Sequence, residues 1–105
     1  MSVQDKTYRD LIDLLKKDES LALDILYLSI ITPKGMKRYI WLSKNNILFS
    51  ALDPDYWKDK LGKPIAFIIG EGEYSHLFIN RLEILMREPE KFVRPYGEVN
   101  ESNKE

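Results

Sequence analysis

Glu71, Glu73 and His76 fall within six consecutive residues. Two carboxylates and an imidazole are donor types that hold a divalent cation or pass a proton. Their spacing matches no metal signature, and Gly70-Glu71-Gly72 lacks the third glycine of a dinucleotide-binding loop. The carboxylates would also repel phosphate. A structural account uses the same residues without remainder: Gly70 and Gly72 make a turn, Glu73 suits the positive end of the helix that follows, and His76 sits in its exposed first turn. Neither a metal nor a cofactor is expected.

Nucleophilic catalysis has little to work with. The chain contains no cysteine, and His76 is its single histidine. No serine stands in a G-x-S-x-G elbow, and no P-loop, zincin or calcium-loop pattern occurs. Asp53 and Asp55 flank Pro54 like a carboxylate pair, but helix capping accounts for both. The expectation is a protein that is not an enzyme.

A gap in the charge pattern is more informative. Between Ile25 and Leu52 there is no Asp or Glu, while Lys34, Lys37, Arg38 and Lys44 are basic and Tyr39 and Trp41 lie among them. On a strand, Lys37, Tyr39 and Trp41 share one face and Arg38, Ile40 and Leu42 the other. Such a surface could meet phosphate and stack bases, so Lys34, Lys37, Arg38, Tyr39, Trp41 and Lys44 define a nucleic-acid-binding alternative (DNA or RNA). Against it, the sequence pI is only about 5.9, and Trp41 or Tyr39 in the core with lysines on the turns explains the same residues.

Surplus apolar residues point instead to an interface. Tyr56 and Trp57 are adjacent on a short helix and cannot share one narrow stripe, and Leu77 and Ile84 lie off the main face of the last helix. Tyr56, Trp57, Leu77 and Ile84 are therefore the candidate interaction residues. The expected function is that of a small non-enzymatic interaction or regulatory protein, an assembly subunit or an inhibitor of a partner protein, that self-associates as a homodimer.

The elements that would position these residues can be read from periodicity and caps. Thr7, with Asp10 three residues on, predicts a helix over 7–17 with Tyr8, Leu11, Ile12 and Leu15 on one face. Asp18-Glu19-Ser20 then reads as a break or a new cap. The run from Leu21 to Thr32 fits both periods; its β-branched end and the turn Pro33-Lys34-Gly35 favour a strand over its second half. Strands at Met36–Ser43 and Ile47–Leu52 would complete a three-stranded antiparallel meander, or one hairpin if the ambiguous run is helical.

Asp53, Pro54, Gly62 and Pro64 bracket a short helix. Pro64 to Ile69 reads as a buried fourth strand ending at Gly70. A long C-terminal helix follows, with Ser75 as cap, an apolar face of Phe78, Ile79, Leu82, Leu85 and Met86, and Pro89 as its stop. The fold class is α+β in one domain over residues 1–97, and residues 98–105 are expected to form a disordered tail.

Composition supports that organisation. With 105 residues, 44% of them hydrophobic, and 16 basic against 17 acidic side chains, one core is affordable and two are not. The first residues lack an apolar signal region, and the most apolar run is too short to span a bilayer, so a cytoplasmic protein that avoids membranes is expected. Eleven Lys, eleven Ile and one Gln fit a heat-adapted composition, and an AT-rich genome would give the same bias.

Overall fold

The computed structural model describes residues 3–43, 46–72 and 78–97. Lys44, Glu73, Ser75, His76, Leu77 and the tail 98–105 lie outside the described residues. The elements run α1 (Val3–Lys17), α2 (Glu19–Ile31), β1 (Lys37–Ser43), β2 (Asn46–Ser50), α3 (Pro54–Leu61), β3 (Ala66–Ile69), α4 (Phe78–Arg87), a 3-10 turn at Pro89–Lys91 and β4 (Arg94–Pro95). This is an α+β arrangement. Among the described residues no helix is long and apolar enough to cross a membrane.

In α1, Leu11, Ile12 and Leu15 are buried as their spacing requires. Tyr8, on the same face, donates its hydroxyl to the Val93 carbonyl at 2.7 Å. Thr7 is not the cap, because the helix already begins at Val3. Asp18 does cap α2, its carboxylate accepting from the Leu21 amide at 3.1 Å.

The strand expected in the second half of Leu21–Thr32 is a helix. This corrects the meander to a single hairpin with β3 on its other side. The reason is that α2 is apolar all round, so helical and alternating periods both fit it, and tertiary burial decides. Ala22, Ile25, Leu26 and Ile30 enter the core together with Leu85 of α4 and Ile40, Ala66 and Ile68 of the sheet. Each of the Ile and Leu side chains contributes roughly 1.5–3 kcal/mol of transfer free energy, more than the β-branched preference of Ile30 and Ile31 can offset.

The sheet order is β2-β1-β3-β4, with every neighbouring pair antiparallel. Tyr39 pairs with Ser50, Trp41 with Leu48 and Ser43 with Asn46 in the hairpin, while Ile40 pairs with Ala66 and Tyr39 with Phe67 across to β3. The segment carrying α3 therefore takes the chain from one edge of β1 to the other. Helices α1, α2 and α4 cover the sheet face that carries Ile40, Ala66 and Ile68. Residues of opposite parity, Tyr39, Trp41, Leu48, Ser50 and Phe67, form the outer face.

The brackets of α3 appear as read from sequence. Asp53 accepts from the Asp55 amide at 2.8 Å, Pro54 opens the helix, and Gly62 ends it with φ +73°. The expected cap of the last helix, Ser75, lies outside the described residues; the described part spans 10 residues, Phe78–Arg87, and stops before Pro89 as expected. Beyond it, Arg94–Pro95 pairs with β3, a strand that its two residues could not announce.

Candidate functional site

β1 alternates as expected, but its outward row is not an open platform. Trp41 is 2% exposed, and its indole N–H donates to the Gly62 carbonyl at 3.0 Å. Phe67 beside it is 3% exposed. Tyr39 lies among them, its ring centroid 6.5 Å from Trp41, 6.2 Å from Phe67 and 6.1 Å from Tyr96. The Lys37 ammonium stands 4.7 Å from the Phe67 centroid. Of the basic residues, Arg38 points to the helix side and donates to Thr32 Oγ1 at 3.2 Å, and Lys34 is exposed in the turn after α2. Trp41 and Phe67 are thus consumed by packing and offer no face for stacking a base, while Tyr39 stays half-buried.

Tyr39 carries a pH signature of this packing. Burial first, then the Asp53 carboxylate and Tyr96, push its phenol above the ordinary 10.0. A raised folded-state value stabilises the fold below the unfolded value, and that contribution is lost as pH rises through the folded one. Melting temperature should therefore fall above pH 10.0 more steeply in the wild type than in Tyr39→Phe, as followed by circular dichroism. Parallel curves for the two proteins would contradict it.

On the same face, next to β2, lies an exposed apolar ridge. Tyr56 is 67% exposed, Leu52 47% and Leu48 37%. Their mutual placement runs through Ser50, whose hydroxyl accepts from the Trp57 indole at 3.0 Å and from the Leu52 amide at 3.0 Å. Tyr56 meets Trp57 edge to face at 4.9 Å between centroids. Ile84 is half-buried on α4, in the helical layer on the opposite side of the sheet. Tyr56 and Trp57 therefore form one surface, and Ile84 belongs to another.

Sequence reasoning missed a second apolar surface. Tyr27 is 58% and Ile31 46% exposed, and with half-buried Leu23 they lie at i, i+4, i+8 along α2. The signal was present in the apolar character of that run on every side, which defeats a simple period.

Glu71 is occupied structurally. Its carboxylate pairs with Arg81, whose guanidinium lies 5.0 Å from the Phe92 centroid, and its amide donates to the Ser29 carbonyl at 2.8 Å. These contacts tie the end of β3 to α2 and α4. Beside them is a hollow of about 180 Å³ with Leu26 and Phe92 in its wall and Lys91 and Arg94 at its rim. Lys91 is paired with Glu88 at 2.9 Å, which holds the Glu88 carboxyl below its usual value. Among the described residues no group of three or more His, Asp or Glu could hold a metal ion. Compared with known protein families, curated proteins and solved structures, the chain finds no match.

Proposed function

We propose that the protein is a small non-enzymatic interaction or regulatory module, acting in the cytoplasm, that docks on a protein partner through the ridge formed by Leu48, Leu52, Tyr56 and Trp57. The observation that carries this reading is the 67% exposure of Tyr56 on a helix with no buried residue. Large aromatic side chains left in water beside aliphatic ones are the usual anchors of protein interfaces. Trp57 is held in place by Ser50, so the anchor is already oriented and little rotamer entropy remains to be lost on binding.

The nucleic-acid alternative retains Lys34 and Lys37 as exposed cations in an acid-free segment, but without Trp41 it keeps only half-buried Tyr39 for stacking and rests mainly on charge. One experiment separates the two. A tagged pull-down from lysate of the source cells, with and without nuclease, should retain a stoichiometric protein partner in both arms, and Tyr56→Ala should lose it. Capture abolished by nuclease and weakened by Lys37→Ala would instead favour nucleic acid.

A further inference from the structure

Strand β2 ends the sheet, and no described strand pairs with its outer edge. In an antiparallel ladder, alternate residues direct their N–H and C=O groups away from the neighbour, so this edge presents a row of backbone donors and acceptors. Monomeric proteins blunt such edges with charge, proline or a bulge. β2 has none of these: Asn46-Ile47-Leu48-Phe49-Ser50 is uncharged and free of proline. The five pairs with β1 also keep one unbroken register.

The geometry points to a second copy of this chain as the occupant of that edge, with β2 of each protomer pairing antiparallel about a two-fold axis at Leu48. This rests on the interaction reading above and supplies its first partner. The strand is self-complementary about its centre. Leu48 meets Leu48 of the partner subunit, Ile47 meets the partner's Phe49, and Asn46 meets the partner's Ser50. An aliphatic pair, two aromatic–β-branched pairs and two polar pairs result, with no residue left opposite a mismatch.

The rows on each face also continue. Ile47 and Phe49 already pack against the core beneath the helices, so their pairs extend that core across the seam. The two-fold axis is perpendicular to the sheet, which keeps both helical layers on one side. Leu48, 37% exposed in the monomer, is covered at the axis, and the ridge of Leu52 and Tyr56 flanks it. From Asn45 to Leu52 the chain carries no charge, so the approach of two copies meets no repulsion from the strand itself. Stable interfaces bury on the order of 800 Å² per partner, which five strand residues do not reach without that ridge.

The test uses the full chain in analytical ultracentrifugation over a range of concentrations. The wild type should approach twice the 12.4 kDa monomer mass. Leu48→Lys, which sets two cations face to face at the axis, should weaken association on the order of 100-fold while its circular dichroism spectrum stays that of the wild type and its melting temperature loses the wild type's dependence on protein concentration. Because the chain has no cysteine, a second variant reports the register directly. Leu48→Cys should link covalently on oxidation, since directly opposed residues lie within disulfide reach. Asn46→Cys should not, because the two copies of residue 46 would stand roughly 13 Å apart along the strands.

A wild type that stays monomeric, or one whose dimer is indifferent to Leu48→Lys, overturns the pairing, as does equal linking of the two cysteine variants. A monomer that still captures a different protein through Tyr56 overturns the pairing alone and leaves the interaction reading standing.

Discussion

Trp41→Ala should lower the stability of this protein by about 3–5 kcal/mol, the range for truncating a buried large aromatic side chain. Only 2% of Trp41 is exposed, on the central strand β1 between β2 and β3, and its truncation opens a gap among Tyr39, Leu48 and the Gly62 segment. Domains of this kind have only ~5–15 kcal/mol in total, so the midpoint of thermal unfolding should fall by roughly 15 °C or more. Trp41→Phe separates ring from N–H. It keeps most of the contact with Tyr39 and loses the bond to the Gly62 carbonyl. Gly62 is exposed, so water can satisfy that carbonyl, and the lost bond together with the smaller ring should cost about 2 kcal/mol. Urea unfolding of the two variants measures both. Equal and small losses would mean that Trp41 is not the packed residue described, and would return it to the candidate stacking surface.

Gly70→Ala should cost about 3 kcal/mol, the upper end of the usual overpacking range. A methyl carbon on Gly70 would come within 2.5 Å of the Pro33 carbonyl oxygen, 2.6 Å of the Thr32 carbonyl oxygen and 2.7 Å of Thr32 Cγ2. Two of these three atoms are backbone and cannot rotate aside. Sliding the strand end away is also resisted, because the Gly70 amide donates to the Met36 carbonyl at 2.7 Å and its own carbonyl accepts from Gly35 at 2.9 Å. Gly72→Ala makes the informative control. Its nearest neighbour would be Lys34 Cβ at 3.9 Å, so only the strain of φ +78° remains, worth roughly 1–2 kcal/mol. Chemical denaturation should rank the variants Gly70→Ala below Gly72→Ala below wild type; the reverse order would show that turn conformation, not close approach, selects glycine here.

Both expectations bear on what sequence reading could reach. The turn at Gly70 and Gly72 was legible, since glycine pairs mark turns, but the reasons differ between the two positions. Gly72 needs its backbone angle and Gly70 needs the absence of a side chain, a distinction that depends on where Thr32 and Pro33 come to lie. Likewise the alternation of β1 was legible from residue type, and which of its faces would be roofed was not. Lys37, Tyr39 and Trp41 look the same in sequence whether the outer face is open or covered by α3 and Gly62.

What the sequence determined by itself is everything held by contacts within a few residues. The caps at Asp18 and Asp53 and the glycine end of α3 satisfy backbone groups two to four positions away, and the prolines at Pro54 and Pro89 start and stop helices through their own fixed φ and missing N–H. The face of α1 follows from its period in the same way. Tertiary structure alone decided whether 21–31 is helix or strand, because an all-apolar run fits either period and only burial against α4 and the sheet discriminates. It also decided that β3, not the segment before β1, lies beside β1, that Arg81 pairs with Glu71, and that Trp57 reaches Ser50 on β2, whose outer edge no described strand pairs with. Those outcomes depend on residues brought together from distant parts of the chain, as when Tyr8 reaches Val93, and such contacts leave no mark on local spacing.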